Sequence, residues 1–253
     1  MKKIVSSIPN FITSLNIVCG SIAIVLALES HHYLQISALF LGLAAIFDFC
    51  DGLAARLLKA YSPLGKELDS LADMISFGLA PGVILYQLMK ISLFTENFSF
   101  CFCKLDIVSV LFLMSTVLIP VFSGLRLAKF NIDTRQTENF IGLATPANAL
   151  MIVAFSLAWS FQKESAFVQN YVLNSWVLLT LAILSSFLLI SPLPMFSLKI
   201  KKFKSKENII RLIFILSSIL FVILFGWIGT IGIIPIYIIL SLVDFLMKKS
   251  GKV

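Results

Sequence analysis

The sequence is poor in charge: only 13% of its 253 residues are Asp, Glu, Lys or Arg, against about 25% in soluble domains. Set beside 59% hydrophobic residues and a mean hydropathy of +0.99, that shortage excludes a soluble globule. A chain of this length cannot bury so much apolar side chain in one water-surrounded core, whereas a bilayer supplies the apolar solvent. Disorder is excluded as well, because 23 Phe, 5 Tyr and 3 Trp oppose the disordered composition. Period-two alternation is lacking along the apolar runs, which argues against a β-barrel. Cysteine is scarce: Cys19 and Cys50 fall within apolar runs and read as small buried hydrophobes. Cys101 and Cys103 have a single residue between them, too close for an unstrained disulfide and too few for a metal site. Histidine occurs only as His31 and His32, a pair that reads as a polar turn. What remains is an all-α bundle of transmembrane helices.

A crossing needs about 20 mostly apolar residues. Six stretches free of charge approach that length: Ile4 to Leu28, Ser30 to Phe47, Met74 to Met89, Ile107 to Leu125, Asn139 to Gln162 and Ser165 to Leu198. A seventh, Leu212 to Val243, is too long for one ordinary crossing and suits two, with Gly226, Gly229 and Gly232 where a hairpin would turn. The expected total is eight. Before the first crossing, Lys2 and Lys3 with Ile4 and Ile8 fit a short interfacial helix ending at Pro9, and no small-residue cleavage site of a signal peptide follows. The expected division is a membrane core over 1–198, a basic loop over 199–211, and a C-terminal hairpin with basic tail over 212–253.

Loop charge tests the count independently, because cytoplasmic loops accumulate Lys and Arg. With loops assigned alternately to two sides, one side collects Lys2, Lys3, Arg56, Lys59, Lys66, Arg126, Lys129, Arg135, Lys199, Lys201, Lys202, Lys204, Lys206, Arg211, Lys248, Lys249 and Lys252. Only Lys90, Lys104 and Lys163 fall on the other. This places both termini in the cytoplasm. The net charge of +7 is then explained by inner loops facing anionic headgroups, and no nucleic-acid partner is required.

Ionisable groups within membrane helices mark working sites, and here they cluster. Asp48 and Asp51 are three apart, Asp69 and Asp73 four apart, so each pair shares a helix face. Ser62-Pro63-Leu64-Gly65 lies between them as a chain reversal. Four converging carboxylates repel one another unless a cation intervenes. Oxygen-only ligands select hard divalent ions, and two such ions can grip a phosphoryl group. Gly52 and Gly65 allow close approach to the backbone, and Arg56 stands one turn beyond Asp51, able to bind phosphate oxygens bidentately.

The pattern Asp48-x2-Asp51-Gly52-x2-Ala55-Arg56-x8-Gly65-x3-Asp69-x3-Asp73 resembles, at all eight positions, the signature of the CDP-alcohol phosphatidyltransferases. The resemblance implies a six-helix core, with the last two helices as an addition. It also implies a homodimer and attack by an alcohol hydroxyl on the phosphate of a CDP-linked lipid, with release of CMP. By the same resemblance, Asp48, Asp51, Asp69 and Asp73 would hold two divalent cations, Mg²⁺ or Mn²⁺, and Asp73 would take the proton from the alcohol. Asn10, Phe11, Ile12, Thr13 and Ser62, with Gly52 and Arg56, would hold the cytidine nucleotide of CDP-diacylglycerol.

The acceptor is read from the surroundings. The stretches Ser70 to Gly78 with Ala80-Pro81, Arg126 to Asn131 and Phe140 to Ala147 resemble the serine-using branch of the family. Met74 stands where glycerophosphate-using members usually carry Lys. L-Serine is therefore the expected acceptor, with glycerol 3-phosphate, inositol and inositol phosphate as alternatives. A serine carboxylate needs a cationic or backbone donor once desolvated; Arg126 and Lys129 are candidates for it, Ser76 and Asn131 for the ammonium end. Location follows from charge: the site is expected at the cytoplasmic leaflet of the inner membrane, where a lipid keeps its acyl chains in the bilayer and a soluble alcohol enters from the cytosol. An ion carrier, the remaining alternative, would place its carboxylates near the midplane between repeated halves, and no such repeat is present.

Overall fold

The computed structural model describes residues 2–94, 105–132, 140–195 and 207–249. Cys101, Cys103, Lys104, Arg135, most of the expected basic loop and Lys252 lie outside them. The described chain is helical apart from its turns and one two-residue ladder: α1 (Lys2–Glu29), α2 (Leu34–Leu57), α3 (Pro63–Asp73), α4 (Ala80–Phe94), α5 (Ile107–Ser115), α6 (Leu118–Ile132), α7 (Thr145–Gln162), α8 (Ser175–Ile190), α9 (Glu207–Phe225), α10 (Trp227–Ile231) and α11 (Ile233–Lys249). A π-helical stretch, Met74–Leu79, joins α3 to α4, α5 and α6 make one rod, and α10 runs into α11. Among the described residues this gives eight rods. Five stretches are long and apolar enough to cross a membrane: Ser7–Glu29, His31–Leu57, Pro63–Phe94, Ile107–Ile132 and Trp227–Met247. Ser175–Ile190 and Ile209–Phe225 are shorter apolar helices.

Large apolar side chains point outward all along these rods. Leu39, Ile46 and Phe49 of α2 and Leu216, Ile223 and Leu224 of α9 are exposed, a surface that suits lipid and not water. The interior is built on α7, whose Ala149, Ile152, Ala154 and Ala158 are buried against the surrounding helices. Because α7 is enclosed by protein, it can carry the buried polar residues Thr145, Asn148 and Ser156 that a lipid-facing helix could not.

The ends of the rods sort into two sets. The Lys66 ammonium donates to the Asn131 carbonyl at 3.3 Å, Gly65 abuts Asn10, and Phe140–Ile141 pairs antiparallel with Pro194–Met195. The start of α1, the α2–α3 turn, the end of α6, the start of α7 and the end of α8 therefore share one end of the bundle. At the other end, the Ile228 amide donates to Gln162 Oε1 at 2.8 Å, and His31 meets Trp159 edge-on with ring centroids 5.9 Å apart.

Two local expectations are corrected. Pro9 does not end a helix; α1 runs through it to Glu29. Only the one hydrogen bond that a Pro9 N–H would have made near the helix start is lost, and Thr13 Oγ1 donates to the Pro9 carbonyl at 3.0 Å. The basic loop expected to extend to Arg211 is helical from Glu207, because charged residues at an interface do not stop a helix. The hairpin turn falls as expected after α9, where Gly226 takes φ +61, a backbone state that other residues adopt only with strain.

Candidate active site

The acidic residues lie on two antiparallel helices joined by a short turn. α2 carries Asp48 and Asp51 to its C-terminal end, residues 58–62 reverse the chain, and α3 brings back Asp69 and Asp73. The turn is fixed by Ser62, whose hydroxyl caps α3 by accepting the Gly65 N–H at 2.9 Å, with Pro63 in the first helical turn. A Cβ on Gly65 would lie 2.9 Å from Asn10 Oδ1 and 3.0 Å from Ser62 Oγ. Glycine there lets α1 close on the α3 N-terminus.

One carboxylate oxygen from each of Asp48, Asp51 and Asp69 lies within 4.8 Å of the others. Asp73 is within hydrogen-bonding reach of Asp48, so all four aspartates form one cluster. Asp51 is 5% exposed, and among the described residues its Oδ2 and Asp73 Oδ1 are buried without hydrogen-bond partners. Buried carboxylate oxygens demand a partner, and so dense an acidic cluster demands positive charge. An oxygen-only donor set of this kind fits a hard divalent cation.

The cluster opens onto a cavity of about 290 Å³ lined by Pro9, Asn10, Thr13, Asp51, Gly52, Ala55, Arg56, Ala60, Tyr61, Ser62, Gly65, Lys66 and Asp69. Asp48 and Asp73 stand behind this wall. Arg56 Nε donates to the Gly52 carbonyl at 2.9 Å, which holds the guanidinium along the cavity rim. Of the nucleotide candidates, Asn10, Thr13, Gly52, Arg56 and Ser62 line the cavity, as do the motif residues Ala55 and Gly65. Phe11 and Ile12 do not, because α1 continues as a helix here and Asn10 and Thr13 share a face that the two intervening residues leave; Phe11 is 65% exposed. Lys66 and Tyr61 were not singled out from the sequence. The signal for Lys66 was its place directly after the motif glycine, at the α3 N-terminus.

Of the four acceptor candidates, one reaches the aspartates. Arg126 is buried, interacts electrostatically with Asp73, and donates from Nη1 to Thr145 Oγ1 at 3.4 Å. Lys129 is exposed. Asn131 Nδ2 donates to Ser70 Oγ at 2.9 Å, and Ser76 Oγ donates to the Asn16 carbonyl at 3.1 Å, so these two tie helices together. The π-helical stretch begins directly after Asp73 and packs against α1, α6 and α7. Its wide turn precedes Pro81, which cannot donate to a carbonyl one turn back.

A helical membrane bundle with an acidic hairpin beside a cavity is suited to metal-assisted chemistry at the membrane, and comparison of the sequence with known proteins gives the family. The chain belongs to the CDP-alcohol phosphatidyltransferase family, whose family model matches residues 6–188. It is 35% identical over 153 residues to a CDP-diacylglycerol–serine O-phosphatidyltransferase of Bacillus subtilis, covering 60% of this chain and 77% of that one. A protein of the same name from Methanocaldococcus jannaschii is 36% identical over 191 residues, 76% of this chain and 74% of its own. An archaetidylserine synthase of Methanothermobacter thermautotrophicus is 31% identical over 169 residues, 65% of each chain.

Proposed function

We propose that this protein transfers a phosphatidyl group from CDP-diacylglycerol to L-serine, giving phosphatidylserine and CMP. The observation that carries the reading is the carboxylate cluster of α2 and α3 opening onto a cavity lined by Asn10, Thr13, Gly52, Arg56 and Ser62. Serine as acceptor is supported by the names of the relatives and by Arg126 beside Asp73.

The cytidine nucleotide enters the cavity, and Arg56 and Lys66 at its rim draw the diphosphate toward the aspartates. Asp48, Asp51, Asp69 and Asp73 would hold Mg²⁺ or Mn²⁺, which would supply electrophilic activation of the phosphate. Arg126 holds the serine carboxylate, which orients the hydroxyl toward the phosphorus that carries the lipid. As the serine oxygen forms its bond to that phosphorus, the bond to CMP breaks and Asp73 accepts the hydroxyl proton.

The reading places the site at the cytoplasmic leaflet of the inner membrane with both termini inside, on the strength of the lysine and arginine bias. It takes the enzyme as a homodimer, with 1–198 as the catalytic core and the last two helices added to it. Purified protein with CDP-diacylglycerol, offered serine, glycerol 3-phosphate, inositol and inositol phosphate separately, tests the acceptor. CMP release with serine and little with the others is expected. Release with another alcohol alone overturns serine, and release with none overturns the transferase reading.

A further inference from the structure

The family match ends at residue 188, yet a residue beyond it packs beside the start of α7, where Arg126 is held. Tyr237 of α11 is partly buried against the cluster of Leu143, Met151 and Ile234. The first two of these bracket Thr145, the residue to which Arg126 donates. Its ring meets Phe214 of α9 edge-on at 5.7 Å between centroids, so both long helices of the C-terminal hairpin hold it. Tyr237 and Arg126 lie close enough to interact electrostatically, as do Arg126 and Asp73.

The guanidinium needs such support. Arg126 is 8% exposed, Nη1 makes a long bond to Thr145, and Nε has no hydrogen-bond partner among the described residues. A buried cation with donors left over keeps a fixed geometry only if neighbouring dipoles face it. Thr145 supports it from α7, and Tyr237 of α11, packed against Leu143 and Met151 on either side of Thr145 in the sequence, adds a polar group within electrostatic reach.

We propose that Tyr237 is a positioning residue for Arg126, which makes the C-terminal hairpin part of the catalytic unit. The hairpin then does more than anchor the chain: it sets the orientation of the guanidinium on the acceptor side of the aspartates. This rests on the acceptor reading of Arg126 given above.

The test is a double-mutant cycle of Tyr237→Phe and Arg126→Ala, with Arg126→Lys in place of Ala if the latter has no measurable turnover. KM and kcat are measured for CDP-diacylglycerol and for whichever alcohol releases CMP, alongside thermal unfolding. Tyr237→Phe keeps the ring and its packing. It is expected to unfold at the wild-type temperature and to raise the acceptor KM about tenfold, as loss of a polar group near a buried charge does, with the CDP-lipid KM unchanged. In the arginine-substituted background the same change should have less than about a twofold effect. Additive effects, or a Tyr237→Phe enzyme indistinguishable from wild type, would overturn the proposal. If substituting Arg126 moves only the CDP-lipid KM, the acceptor reading fails by itself. Coupling to Tyr237 is then read on that KM, and additivity there overturns the positioning role.

Discussion

Arg126 Nη1 donates to Thr145 Oγ1 at 3.4 Å, tying the C-terminal half of α6 to the first turn of α7 within electrostatic reach of Asp73. Both residues are buried, so a substrate group meeting this guanidinium is desolvated and feels its charge strongly. Arg126→Ala is expected to raise the serine KM at least tenfold, with a much smaller change for CDP-diacylglycerol, because the proposed nucleotide residues Gly52, Arg56 and Asn10 line a cavity to which Arg126 does not contribute. Thr145→Val removes only the acceptor of one hydrogen bond and should give a shift in the same direction of about fivefold or less. Steady-state kinetics with each substrate varied separately checks both.

Asp73→Asn should abolish turnover while the protein stays folded. The amide keeps the volume of the carboxylate but accepts no proton from the alcohol and is a weak metal ligand. The variant is compared with wild type by CMP release and by thermal unfolding in detergent. Near-normal activity would remove Asp73 from the mechanism, and a large loss of stability would assign it to the fold.

Treatment with EDTA should stop the reaction, and a hard divalent ion should restore it. Among the described residues, Asp51 Oδ2 and Asp73 Oδ1 are buried without hydrogen-bond partners, and Asp48, Asp51 and Asp69 crowd within 4.8 Å. Relief of that repulsion also stabilises the native state through ligand linkage. Added Mg²⁺ or Mn²⁺ should therefore raise the unfolding temperature of the wild type more than that of Asp51→Asn. Full activity in a metal-free preparation contradicts the metal requirement.

The rods and the acidic hairpin were legible in the sequence because both rest on local spacing. Apolar run length fixes where a helix can cross, and intervals of three and four residues put carboxylates on one face. Phe11 and Ile12 were grouped with Asn10 and Thr13 by the family resemblance, which takes the segment as a unit; along the continuous helix α1 the same spacing rule separates them. Tyr237 carried no signal, since an isolated Tyr in an apolar helix is an ordinary residue, and Thr145 lay within the stretch Phe140 to Ala147 that resembles the serine-using branch without being singled out in it. Their importance comes from long-range packing that brings α11 and the start of α7 beside Arg126. The exposed position of Lys129, one turn from Arg126, likewise depends on how α6 is rotated in the bundle, which charge counting cannot tell.

Gly65→Ala tests how tightly the nucleotide end is built. The added Cβ would meet Asn10 Oδ1 at 2.9 Å and Ser62 Oγ at 3.0 Å, closer than carbon and oxygen normally approach, so α1 and the α2–α3 turn must part slightly. Both displaced side chains line the cavity proposed for the nucleotide, and Arg126 is not part of its wall. The KM for CDP-diacylglycerol should rise about tenfold or more, in line with the cost of misplacing binding groups by fractions of an ångström, while the serine KM changes little. Ser62→Ala provides the comparison. It removes the helix cap, at a cost of about 1 kcal/mol in stability, and one cavity hydroxyl, but introduces no clash. It should lower the unfolding temperature more than it raises the CDP-lipid KM. If Gly65→Ala instead alters the two KM values equally, the cavity beneath Asn10 is not where the nucleotide binds.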